Sequence, residues 1–150
     1  HFVQRLGHPM TLSMLKLEAA PIGSRFPLAH VLDALPWNRD GLIAAIAQQQ
    51  RSGEVLMLAW MNRQALDETL ASGRVCYWSR SRQRLWRKGE SSGHIQRLIE
   101  ARLDCDGDAV LLIVDQQGPA CHTGRPTCFY NAIEHDQVHI LTAPLKEPAA

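Results

Sequence analysis

The chain has 150 residues and a formal net charge of +1, with 45% hydrophobic and 21% charged residues. That is length enough for one domain with a substantial core, and the near-neutral charge argues against a general nucleic-acid binder. No apolar run reaches the roughly 18 residues of a membrane span and no signal-peptide pattern opens the chain, so no membrane contact and a cytoplasmic location are expected.

Residues 1–36 read as a variable preface, in part not native, with Met10 or Met14 nearer a natural start. Pro21, Pro27 and Pro36 break any long element there. "GLIAAIAQ" (41–48) suits a helix by its alanines and a strand by its length. Arg51-Ser52-Gly53 is a turn and "EVLMLAWM" (54–61) a buried strand, which makes a hairpin. Asn62 is a fair helix N-cap, Leu66 and Leu70 share a face, and Gly73 stops the helix, which spans roughly 63 to 72.

"VCYWSRSRQRLWRK" has period two. As one strand it puts Trp78, Arg80, Arg82, Arg84, Trp86 and Lys88 on a single face. "KGESSG" is a polar loop, "HIQRLIEARL" has mixed character, and "AVLLIV" (109–114) is the strongest strand. "QQGPACHTGRPTC" is a glycine- and proline-rich loop, and residues 143–150 form a loose tail. The total is an α+β fold, a strand-rich single domain with one or two short helices and no βαβ rhythm.

The chemistry concentrates in "LDCDGDA" (103–109), where Asp104, Asp106 and Asp108 alternate with Cys105 and Gly107. Three carboxylates so close repel one another beside a buried strand. In an extended segment they share one face and Cys105 takes the other, so a hard cation such as Mg²⁺ would neutralise them. A calcium loop is excluded because the glycine falls at the wrong position; a solvated hairpin turn is the competing reading.

Cys105, Cys121 and Cys128 suit zinc. Three protein ligands leave one tetrahedral position for water, and the lack of a closely spaced cysteine pair favours a catalytic over a structural site. Three unrelated buried thiols are the bland alternative. Cys76, beside Tyr77 and Trp78, reads as core. His122, His94 and Glu90 are candidate proton carriers.

From Arg74 to Lys88 there are six basic residues and no acid. Arginine forks match phosphate and aromatic faces stack on a base. Candidate substrate-binding residues are therefore Trp78, Arg80, Arg82 and Lys88, with Ser91 and Ser92 of the adjoining loop. The same strip would serve a zinc-stabilised module that binds single-stranded nucleic acid. A nucleoside deaminase is a weaker reading, because its H-x-E and P-C-x-x-C signature is absent.

"VLMLAWMN", "YWSRSRQRLWRKGESSGHIQ", "DCDGDAVLLIVDQ" and "GPACHTGRPTCF" together resemble the phosphoribosyl-AMP cyclohydrolase family of histidine biosynthesis. The resemblance covers residues 37–131, the expected catalytic domain, and leaves 1–36 as preface and 132–150 as a C-terminal extension. It implies a hydrolase that opens the adenine ring of phosphoribosyl-AMP between N1 and C6 with a zinc-activated water. It implies one zinc per chain on Cys105, Cys121 and Cys128 and one magnesium per chain on Asp104, Asp106 and Asp108. It also implies an intertwined homodimer with metal sites shared between chains, in which Cys105 meets Cys121 and Cys128 of the other copy. The second, pyrophosphohydrolase domain of bifunctional members is not implied.

Overall fold

The computed structural model describes residues 13–145; Met10 and residues 146–150 of the expected tail lie outside the described residues. Two short helices come first, α1 (Met14–Ala19) and α2 (Leu28–Ala34). A hairpin of β1 (Ile43–Gln49) and β2 (Val55–Met61) leads into helix α3 (Arg63–Ser72). Strands β3 (Cys76–Ser79), β4 (Arg84–Arg87), β5 (Gln96–Leu103) and β6 (Ala109–Gln116) follow. A separate hairpin closes the order, β7 (Asn131–Glu134) with β8 (Gln137–Ile140). The described residues thus hold three helices where one or two were expected, because the preface is helical between its prolines.

The first six strands form one sheet in the order β4-β3-β2-β1-β6-β5. Its pairings are antiparallel except β1 with β6, where Ala44 aligns with Ala109. "GLIAAIAQ" resolves as strand despite its alanines. Flanked by β2 and β6, it buries Ile43, Ala45 and Ala47 on alternate positions, so packing overrides a weak local preference.

Helix α3 forms where its caps place it. The Asn62 side chain accepts a hydrogen bond from the N–H of Ala65 at 2.8 Å. At the other end Gly73 takes a left-handed φ of 75° and its N–H reaches the carbonyl of Thr69, a conformation that costs glycine little. Ala65, Leu66 and Thr69 are the helix's buried residues.

The core joins that helix face to Ile43, Met57, Met61, Val110, Leu112 and Val114 of the sheet. Met14, Val31, Leu32 and Leu35 belong to the same cluster, so the preface is structural. Each such side chain contributes about 1.5–3 kcal/mol by leaving water. The opposite sheet face is less covered: aligned Leu58, Ile46 and Leu111 are exposed or half-buried, Leu58 at 49%.

A buried polar link ties β3 to β5. The Tyr77 hydroxyl donates to Gln96 Oε1 at 2.6 Å, and Gln96 Nε2 reaches the Met57 sulfur. Tyr77→Phe strands a buried amide oxygen and is expected to lower stability by about 1–3 kcal/mol. Urea denaturation measures this; an unchanged midpoint would remove the link from the stabilising interactions.

Candidate active site

The basic strip is not one strand. β3 and β4 are a hairpin, with Ser79 paired to Arg84, and residues 80–83 form its turn. Gln83 takes a left-handed φ of 52° and its side-chain amide donates to the carbonyl of Arg80. The polar run "SRSRQ" has no apolar residue to hold a strand in place, and serines favour turns. The period-two face expected for 78–88 is therefore folded back on itself.

This folding creates a cavity of about 1160 Å³ at one end of the sheet. Arg82, Arg84, Arg87 and Lys88 line it, with Trp86 beside them. The β4–β5 loop adds Glu90, Ser91, Ser92 and His94; the loop after β6 adds Cys121, His122 and Cys128. Trp78 and Arg80 stand outside the lining, and the Arg80 guanidinium lies 4.9 Å from the centre of the Trp60 ring. Arg84, Trp86 and Arg87 enter the site without having been singled out as binding residues. The turn chemistry of "SRSRQ" was the signal for them.

Charges in the cavity are held from behind. Arg87 makes two 2.8 Å hydrogen bonds to Glu68 of α3. Lys88 is half-buried, donates to the carbonyl of Ala120, and lies 5.3 Å from the centre of the Trp86 ring. Burial pushes its ammonium below the ordinary lysine value, against the pull of the Cys128 and Cys121 thiols. His94 gives its backbone carbonyl to Gln116 Nε2 at 3.1 Å, which fixes the loop that carries it.

Two of the three expected zinc cysteines meet. Burial works against ionisation of Cys121, yet hydrogen bonds from Thr123 and Cys128, with the charge of Lys88, hold its thiol below the ordinary value. Cys128 is pushed up to about 11, by burial first and then by the neighbouring Cys121. The two thiols are thus held apart in acidity, Cys121 the more readily ionised of the pair. Cys76 is fully buried and pushed up to about 12, mainly by burial, so it behaves as the core residue its neighbours suggest.

Cys105 is elsewhere. It is exposed in the β5–β6 turn, at the opposite end of β6 from the cavity. Eight strand residues separate the two ends, about 25 Å of chain. Among the described residues, the clustered potential ligands are Asp104, Asp106 and Asp108, whose oxygens lie within 4.8 Å of one another.

The acidic segment is a turn, not an extended strand, so the expected division of its side chains between two faces does not hold. The carboxylates converge nonetheless. Asp104 Oδ1 accepts from the N–H groups of Gly107 at 2.8 Å and Asp108 at 3.1 Å, a local device that builds the turn. Hydrogen bonds shared with Asp104 and then Asp106 push Asp108 up to about 6, since carboxylates this close disfavour one another's charge. Gly107 has a φ of 78°, and a side-chain carbon there would stand 2.9 Å from Leu35 and 3.1 Å from Met14. The turn therefore sits directly on the preface helices.

The cavity thus brings together basic side chains able to pair with an anion, two thiols, a carboxylate and two histidines. Residues 57–130 match the family described as Phosphoribosyl-AMP cyclohydrolase. The chain is 79% identical over 136 residues to a phosphoribosyl-AMP cyclohydrolase 2 of Pseudomonas fluorescens, covering 91% of this chain and 92% of that one. It is 65% identical to a phosphoribosyl-AMP cyclohydrolase of Alkalilimnicola ehrlichii over 88% of this chain and 93% of the other. A third relative with the same description, from Chromohalobacter salexigens, is 63% identical over 93% and 95%. The chain belongs to the phosphoribosyl-AMP cyclohydrolase family.

Proposed function

We propose that this chain catalyses the reaction its family is named for, hydrolytic opening of the adenine ring of phosphoribosyl-AMP between N1 and C6, in cytoplasmic histidine biosynthesis. The observation that carries the reading is the basic cavity joined to the Cys121–Cys128 pair, in a chain whose relatives bear this name. A purine bearing two phosphorylated sugars suits a volume of about 1160 Å³. Arg82 and Arg84 bind phosphate, Ser91 and Ser92 add hydroxyl donors, and the Trp86 ring offers a stacking face. Glu90, His94 and His122 are the groups within the cavity able to take a proton from water and return it to the ring nitrogen.

Cys121 and Cys128 fit zinc as soft ligands, with the Cys121 thiol held below its ordinary value by Thr123, Cys128 and Lys88 against its burial. Zinc, when bound there, supplies Lewis-acid activation of water at neutral pH. The third ligand is Cys105 of a second copy, because within one chain it lies too far away. The less covered sheet face around Leu58 and Ile46, together with the apolar β7–β8 hairpin, supports an intertwined homodimer; Ile133 of that hairpin is 84% exposed. On this reading residues 37–131 are the catalytic domain, the preface completes its core, and residues 132–150 are an extension. Each chain carries one zinc and one magnesium.

Asp104, Asp106 and Asp108 fit magnesium as clustered hard oxygens. Asp106→Asn and Asp108→Asn are expected to weaken magnesium dependence about tenfold or more while zinc content is unchanged, since the amide keeps shape and loses charge. Parent-like responses to added magnesium and to chelator in both variants would reduce the acids to a surface turn. The test of the function itself is an ultraviolet assay on phosphoribosyl-AMP with metal analysis of the same sample. Saturable turnover supports it. Tight oligonucleotide binding without turnover, falling steeply with salt, would favour the nucleic-acid module instead.

A further inference from the structure

The loop from Gln117 to Tyr130 joins β6 to β7 without regular structure and carries both thiols of the cavity. Its two halves are held differently. On the Cys128 side, the N–H of Cys128 donates to the carbonyl of Leu56 at 2.8 Å. The Thr127 hydroxyl reaches the carbonyl of Val55 at 2.7 Å. That half is pinned to β2, inside the sheet.

Cys121 sits on a tight turn closed within itself. Cys121 N–H donates to the Arg125 carbonyl, and Gly124 N–H to the Cys121 carbonyl. Lys88 holds the near side through Ala120. The far side is held by chain from beyond the family-matched residues. Arg125 Nε donates to the carbonyl of Thr142 at 2.6 Å while its guanidinium lies 4.0 Å from the centre of the Tyr130 ring. Leu145 N–H donates to the carbonyl of Gly124 at 2.8 Å, and a side-chain carbon on Gly124 would meet Pro144 at 3.4 Å. The β7–β8 hairpin makes this geometry possible: it reverses the chain, and Leu141 N–H closes onto the Tyr130 carbonyl at 2.9 Å.

We infer that residues 142–145, gripped by Arg125, form a clasp that positions the Cys121 turn against Cys128, so that metal retention at the cavity depends on this C-terminal segment. Arg125 is a positioning residue: it touches Thr142 and Tyr130 and acts on the site through Cys121. The zinc part of the inference rests on the proposed function; the placement of the thiol does not.

The experiment compares the parent with a chain ending at Leu141, a chain ending at Leu145, and Arg125→Ala and Arg125→Lys. Each is stripped of metal and exposed to an aromatic disulfide reagent, with modification at each cysteine followed by peptide mass mapping. Zinc retention is then measured by chelator competition. In the chain ending at Leu141 and in Arg125→Ala, Cys121 is expected to react roughly tenfold faster and zinc to be lost roughly tenfold more readily, the change that about one or two missing hydrogen bonds produces. Cys128, pinned to β2, should change less. The chain ending at Leu145 should match the parent, and Arg125→Lys should recover part of the protection because an ammonium can still donate to Thr142.

Parent-like Cys121 reactivity in both the Leu141 truncation and Arg125→Ala overturns the clasp. Equal acceleration at Cys121 and Cys128 also overturns it, since that is general loosening. Should the truncation not fold, Arg125→Ala alone decides. Faster Cys121 labelling in a protein whose parent binds no zinc supports the clasp and rejects the zinc assignment, so the two claims fail separately.

Discussion

Cys105→Ser, Cys121→Ser and Cys128→Ser are each expected to lose zinc and to fall at least about a thousandfold in kcat/KM, because each removes one of the three ligands proposed for that metal. Cys76→Ala, buried and without a place in the cavity, should keep both. The sharper experiment mixes two dead proteins. If Cys105 serves the site of the other copy, a refolded mixture of Cys105→Ser and Cys121→Ser chains pairs an intact Cys105 with an intact Cys121–Cys128 pair in half of the heterodimer's sites. Random pairing then restores about a quarter of parental activity. A mixture as inactive as its components would rule out the shared site. A solution mass of one 16.8 kDa chain would do so as well.

Arg82→Ala and Arg84→Ala should each raise KM about ten- to a hundredfold with a smaller change in kcat. A phosphate contact made equally to substrate and transition state is uniform binding, and a charged hydrogen bond is worth about 1.5–3 kcal/mol. Arg80→Ala should raise KM less, since that side chain is occupied with Trp60 outside the cavity. Steady-state kinetics on phosphoribosyl-AMP measures all three. A loss confined to kcat in Arg82→Ala and Arg84→Ala would move these residues from binding to the chemical step.

The elements read most directly from the chain were those whose signals are local. Asn62 and Gly73 bounded α3 to the residue because a cap is a hydrogen bond between near neighbours. β6 declared itself by an unbroken apolar run, which suits a strand paired on both sides and buried at alternate positions. The strip from Trp78 to Lys88 misled because alternation identifies a strand but does not reveal a turn inside it; the break at Ser79–Gln83 is carried by polar side chains. The acids were visible as a cluster, while their turn depends on one carboxylate capping three successive N–H groups. The helical preface was legible only in hindsight, since Met14 and Leu35 owe their burial to partners far along the chain. The distance between Cys105 and the other two thiols is a property of the sheet and could not be read from spacing.

The lone parallel pairing in the sheet bears on how the protein comes to exist in the cell. β1 emerges from the ribosome early and finds β2 at once, but its other neighbour, β6, follows only after α3 and three more strands. Until then the middle strand of the finished sheet has a bare, apolar edge, the kind of surface that recruits other nascent chains. Cys128 completes its anchorage still later, through Thr127 bonding to Val55 across 72 residues of sequence. Contacts so distant along the chain make for slow folding. The thiol pocket is therefore among the last parts to assemble, and metal uptake should report the completion of folding: in a refolding time course, zinc capture is expected to lag behind the burial of Tyr77.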